Sequence, residues 1–280
     1  MKKLFFALAF LVCRAVFADA SAQELPECLN VAYSSQEKFD GCHINTLEHF
    51  AAAADAGYNA LKADMQMTKD GVIILCHDNG FTFDENGRIC KFDKMNMTPI
   101  SSLEWKEIRK MEYSTGRARR GLYPKVATLK EFTRLCKAKN VYMYITVRNF
   151  NQKATLKEAL RIVDKYGMRS KCIFNNYKAD DGTCSIIREL CTDVPISYTT
   201  TPKQEITPRL LEDIVKFAPI MICVNRNHIG DITPEMFAFA ASNGIRILGW
   251  YPSTPEEYAS WLSKGLSGAQ IKNVFAIFLF

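Results

Sequence analysis

The sequence predicts an α/β fold in which parallel strands alternate with helices around one core, and three observations carry that prediction. The chain has 280 residues and is 48% hydrophobic, enough for a single large core and about the length that one α/β barrel uses. Short apolar, β-branched runs alternate with amphipathic stretches, as repeated strand–helix units around a parallel barrel require. Several helical stretches also carry their own start signals.

In chain order, residues 1–22 read as a signal peptide. Lys2 and Lys3 precede an apolar run from Leu4 to Cys13, and Ala18-Asp19-Ala20 and Ala20-Ser21-Ala22 are acceptable cleavage sites. The run is too short to span a bilayer and Arg14 interrupts it. The expected mature protein, 23–280, is one domain, exported to a periplasm or secreted. Candidate strands are 60–65, 72–76, 141–147, 171–174, 196–199, 220–224 and 245–250. Candidate helices are 45–56, 102–111, 129–138, 156–166, 185–191, 208–217, 234–242 and 255–263. Thr46 before Leu47-Glu48, Thr128 before Leu129-Lys130-Glu131, and Thr254 before Pro255-Glu256-Glu257 have the form of helix starts. Residues 79–125 interrupt the rhythm after the second strand and read as an insertion at the barrel mouth, where barrel enzymes carry substrate loops.

Composition excludes some functions. The formal charge is +6, and the signal segment takes with it three positive charges and one negative, leaving a mild excess. Arg117, Arg119 and Arg120 form a short solvated basic loop rather than a nucleic-acid surface. No transmembrane span is expected. Of 10 cysteines, Cys13 lies in the signal segment, so an odd number remains in an oxidising compartment. Cys28 with Cys42 and Cys76 with Cys90 are the pairs to test first, and no zinc signature occurs.

The block Asn45-Thr46-Leu47-Glu48-His49-Phe50, followed by Asp64-Met65-Gln66-Met67-Thr68-Lys69-Asp70-Gly71 and then His77-Asp78, resembles the glycerophosphodiester phosphodiesterase family in order and spacing. The likeness continues through Ala127-Thr128-Leu129-Lys130-Glu131 and through Trp250 with Pro255-Glu256-Glu257. It covers roughly residues 30–273 and implies a (β/α)8 TIM barrel. It also implies hydrolysis of glycerophosphodiesters by two histidines and a divalent cation, often calcium or magnesium, held by carboxylates. Hard cations want carboxylate oxygens, and the metal offsets charge that builds on the phosphoryl group.

Position by position, this chain departs from that pattern. Ala32-Tyr33-Ser34-Ser35 stands where the family has Ala-His-Arg-Gly, so Tyr33 replaces the first histidine. Ile44 replaces the glutamate before Asn-Thr, Lys62 the glutamate two residues before Asp64, Thr146 a further glutamate, and Arg148 a lysine. Asp64, a vestigial metal ligand, and His77, the remaining catalytic histidine, alone survive. The family's metal is therefore not expected here. Alternation along a strand puts Lys62 and Asp64 on one face, where the ammonium group is expected to act as a built-in cation.

Two functional expectations follow. The first is a pseudoenzyme, non-catalytic or weakly active, that holds a glycerophosphodiester or other phosphate-bearing headgroup through Lys62, Arg148 and His77, with Trp250 lining the pocket. The second is an active phosphodiester hydrolase that uses Lys62, Arg148 and His77 without a divalent metal. His43, His49 and His228 have no motif support, although His43 lies near the lost metal position and is a candidate stand-in for the missing histidine. The apolar tail, 274–280, suggests a third class, a surface-interaction protein, against simple packing on the barrel base.

Overall fold

A computed structural model describes residues 25–33, 42–115, 123–148, 152–176 and 182–271. The signal segment, the Arg117–Arg120 cluster and the apolar tail lie outside these residues. Eight parallel strands close into a ring: β1 (Leu29–Ala32), β2 (Ala60–Met67), β6 (Tyr142–Val147), β7 (Cys172–Asn176), β8 (Ile196–Thr199), β9 (Met221–Asn225), β10 (Arg246–Trp250) and β11 (Gly268–Ile271). β1 closes the ring by pairing with both β2 and β11. The closure needs glycine at Gly268, whose φ is +132° and where a Cβ would lie 2.2 Å from the Leu29 carbonyl oxygen.

Helices α1 (Leu47–Asp55), α3 (Leu129–Lys139), α4 (Gln152–Lys165), α5 (Thr183–Leu190), α6 (Pro208–Val215), α7 (Pro234–Ser242) and α8 (Pro255–Ser263) follow strands of the barrel, as expected. Several of their starts are capped by side chains. Thr207, Thr233 and Thr254 each accept a backbone N–H with proline next in line, and Thr128 and Glu131 form a reciprocal capping box.

Alternation sorts each strand between two environments. On β2, Leu61, Ala63 and Met65 face the helices and join the large outer core, which includes Phe50, Phe132 and Trp261. Ala60 faces the lumen, whose lower part is filled by Leu29, Val31, Tyr142, Ile173, Met221 and Leu248. The same parity directs Lys62 and Asp64 inward, above that apolar floor.

The structure corrects the element assignment in three places. The candidate strand 72–76 is β3 (Ile73–Leu75), which runs antiparallel to β2 and is not part of the ring. β1 pairs only with Ala60 and Leu61, so the upper edge of β2 is open, and β3 fills it opposite Met65–Met67. The ring strands β1 and β11, absent from the list drawn from periodicity, are four residues each. Within 79–125, the expected helix 102–111 shrinks to one turn, α2 (Trp105–Ile108), beside a two-residue hairpin of β4 (Gly80–Phe81) and β5 (Thr98–Pro99). This excursion has its own small core of Phe81, Ile89, Ile100, Ile108, Tyr113 and Val126 against Ile74 and Cys76.

The proposed disulfides also fail. Cys28 is a thiol bonded to Tyr258 Oη (3.1 Å) and Asn30 Oδ1 (3.6 Å), and Cys76 and Cys90 are both thiols. Among the described residues, no helix is long and apolar enough to cross a membrane.

Candidate functional site

The mouth of the barrel is organised around Asp64, which has no exposure to solvent. Lys62, two residues earlier on the same face of β2 and 3% exposed, donates to both carboxylate oxygens at 3.0 and 3.1 Å. Arg148, just beyond the end of β6, donates from Nε to Asp64 Oδ1 at 2.9 Å. The Lys62 ammonium also lies 4.5 Å from the centre of the Tyr33 ring, a cation–π contact. Tyr33 meets Tyr251 edge to face at 4.5 Å, and Tyr251 meets Trp250 at 4.4 Å. Burial raises the Asp64 carboxyl, but Lys62, then Arg148 and His77, outweigh it and hold the group well below the usual carboxylate range.

The retained Asn-Thr pair has a mechanical role. Asn45 adopts a left-handed backbone, φ +57°, and its Oδ1 accepts the backbone N–H of Asp64 at 3.1 Å. Thr46 caps α1 through the His49 N–H. The loop before α1 is thereby fixed to β2 at the level of the carboxylate.

On the β3 side, His77 and Asp78 follow the strand as it returns along β2, and the Cys76 N–H bonds to the Asp64 carbonyl. His77 Nδ1 lies 2.9 Å from Asp78 Oδ1. Gln66, buried on the inward face of β2, donates from Nε2 to the Asp78 carbonyl at 2.7 Å and fixes that turn. His77 thus follows an antiparallel strand rather than the parallel ring strand that the candidate run 72–76 implied. His77 and Asp64 nonetheless lie at the same end of the barrel, tied by the bond from the Cys76 N–H to the Asp64 carbonyl.

Across the lumen from Asp64, polar side chains bond to one another. Thr146 and Asn175 lie in register with Asp64, and Asn175 Nδ2 donates to Thr146 Oγ1 at 3.1 Å. Asn175 Oδ1 accepts from Tyr144 Oη (3.0 Å) and Thr199 Oγ1 (2.7 Å), and Gln270 Nε2 donates to Tyr144 Oη at 3.1 Å.

These residues do not fit a hard divalent cation. Such an ion takes six or more oxygens, several of them carboxylate. Here both oxygens of Asp64 are engaged by cationic side chains, Thr146 is already an acceptor for Asn175, and Ile44, Lys62 and Tyr33 supply no carboxylate.

Of the residues singled out from sequence, Lys62, Asp64, Arg148 and His77 come together. Trp250 is 4% exposed and packs in the lumen cluster, reaching the site through Tyr251 and Tyr33. Sequence reasoning missed Tyr33 as a partner of the lysine, Gln66 and Asp78 as supports of His77, and Asn45 as a clamp. The Gln-x-Thr and His-Asp motifs contained the second and third of these.

The glycerophosphoryl diester phosphodiesterase family model matches residues 39–269. The chain belongs to this family. Within it, the human glycerophosphodiester phosphodiesterase 1 is 30% identical over 150 residues, 52% of this chain and 39% of that protein. The match thus spans about two-fifths of that relative's length. Among solved structures, a glycerophosphodiester phosphodiesterase from Thermotoga maritima covers 90% of this chain and 97% of its own at TM-score 0.64 and 19% identity. A phosphodiesterase from Oleispira antarctica, solved with the product sn-glycerol-3-phosphate, covers 87% and 92% at TM-score 0.68 and 11% identity. At these identities the structural likeness shows the barrel and leaves the chemistry to the side chains.

Proposed function

We propose that this exported glycerophosphoryl diester phosphodiesterase-family barrel binds the phosphate-bearing headgroup of a glycerophosphodiester at a metal-independent site, and that the family's metal-assisted cleavage is absent. The observation that carries this reading is the Lys62–Asp64–Arg148 cluster. One buried carboxylate faces two cations, so the cluster carries a net positive charge of about one, which the single negative charge of a phosphodiester neutralises. Lysine and arginine then supply the charge stabilisation that a metal supplies elsewhere.

A second reading, phosphodiester hydrolysis without a divalent metal, is favoured by one observation. His77 keeps a carboxylate partner on Nδ1, which orients Nε2 as the proton-exchanging atom. Calorimetric titration of sn-glycero-3-phosphocholine into the mature protein with chelator present tests the shared core of both readings. Binding that survives chelator and is lost in Lys62→Met/Arg148→Met supports it. Binding or turnover that appears only with added calcium or magnesium overturns it.

A further inference from the structure

The site holds a second histidine that the family pattern does not supply. We infer that His43 is the proton-transfer partner of His77, occupying the chemical role that Tyr33 cannot fill; this rests on the metal-free hydrolytic reading above.

Three features of the structure place and prepare the ring. His43 precedes Ile44 and Asn45 on the loop that Asn45 fastens to Asp64, and its own carbonyl accepts from Thr46 Oγ1 at 2.6 Å. The backbone is therefore held on both sides of the family's lost glutamate position. The imidazole stacks nearly flat on Tyr113, centroids 3.7 Å apart at 16°, and Tyr113 is a buried residue of the insertion's own core. The ring consequently has one orientation. Nδ1 lies 2.8 Å from the Ile44 carbonyl, which only accepts, so Nδ1 carries the proton and Nε2 carries the lone pair.

Packing joins the two segments: Tyr113, on which His43 stacks, lies in the same small core as Cys76, the residue before His77, and His77 Nδ1 lies 2.9 Å from Asp78 Oδ1. The two environments differ. Burial pushes His43 below the usual imidazole range, against smaller opposing effects of the Ile44 carbonyl and Asp78, and so favours its neutral form. His77 is 39% exposed and has a carboxylate acceptor directly on Nδ1.

In the step that follows, a water oxygen forms a bond to phosphorus while its proton passes to His43 Nε2. The bond from phosphorus to the leaving oxygen breaks, and His77 Nε2–H gives its proton to that oxygen. The products are a phosphomonoester and a free alcohol, and exchange with solvent returns the two histidines to their starting states. Lys62 and Arg148 face the phosphoryl charge throughout.

The test is choline release from sn-glycero-3-phosphocholine in chelator, with affinity measured in parallel by calorimetry. His43→Gln is expected to lower kcat on the order of 10²-fold or more, with affinity unchanged and the acidic limb of the pH–rate profile removed. His43→Ala, with the same loss, is expected to regain activity on addition of imidazole, which a structural defect does not allow. Unchanged kcat in a folded His43→Gln, or failure of imidazole to rescue His43→Ala, overturns the inference. A wild type that binds the diester in chelator but releases no choline also overturns it and leaves the binding reading standing. A wild type that does neither removes both.

Discussion

The two sides of the mouth handle ionisable groups differently. On one side, Lys62 of β2 and Arg148 beyond β6 bind a carboxylate with no solvent exposure, and Tyr33 lies against the lysine. On the β3 side, His77 and Asp78 are each 39% exposed and bonded to each other. A fixed charge is best paired in the dry part of the site, where Coulomb attraction is strong but an unpaired ion is expensive. A proton carrier needs water within reach. The replaced family positions fall largely on the first side, and the retained His-Asp pair lies on the second. On the proposed reading, the chain has exchanged the source of positive charge while keeping the frame that positions it.

Removing one member of the buried pair should produce the largest effect. Lys62→Met is expected to lower the unfolding free energy by about 3–5 kcal/mol in urea titrations, with Arg148 keeping it toward the lower end. Lys62→Met/Asp64→Leu should recover most of that loss, since no charge is then left unpaired. Recovery failing to appear would mean that the cluster is held by packing rather than by charge.

A buried histidine outside the proposed chemistry sharpens the contrast. His49 on α1 is 1% exposed, and burial, then His43, lower its pKa to about 4. The unfolded chain therefore takes up this proton first. Stability contributed by neutral His49 is complete above about pH 6.5 and falls as pH drops toward about 4, by up to about 3 kcal/mol. In His49→Leu, stability measured across that window should be flatter, and affinity for the diester at pH 7 should be unchanged.

Reversing the charge exchange is the next test. Lys62→Glu/Ile44→Glu restores carboxylates at two family positions beside Asp64. This variant should gain about 2.7 kcal/mol when calcium or magnesium is present at roughly a hundredfold excess over its dissociation constant. A thermal melt with and without the ion reads the change. His77→Ala should have the smallest effect on stability, under about 1 kcal/mol, because its ring is partly exposed. Any metal-free cleavage should nevertheless vanish, and persistence of cleavage would remove His77 from the chemistry.

Much of this was legible in the sequence because it follows from local rules. The Thr254-Pro255 start and the amphipathic pattern of 234–242 placed α8 and α7 over the same residues that the structure shows, and alternation placed Lys62 and Asp64 on one face. The failures were of register and partner rather than of residue type. β3 has the apolar run of a buried ring strand, and nothing local distinguishes an antiparallel return from a parallel barrel strand. β11 is only Gly268-Ala269-Gln270-Ile271, with an inward glutamine that satisfies Tyr144, so its pattern does not read as a strand. The contacts of Arg148 with Asp64, Tyr33 with Lys62, and Tyr113 with His43 join residues 84, 29 and 70 positions apart, and no spacing rule reaches them.

The central claim is that the protein's own cations stand where the family places a metal. Calorimetric titration of calcium and of magnesium into the wild-type mature protein, first stripped with chelator, tests it most directly. The account predicts no binding of either ion at micromolar affinity and a melting temperature that chelator does not change. Micromolar binding of either ion would contradict it, because Asp64 would then have to exchange Lys62 and Arg148 for a metal.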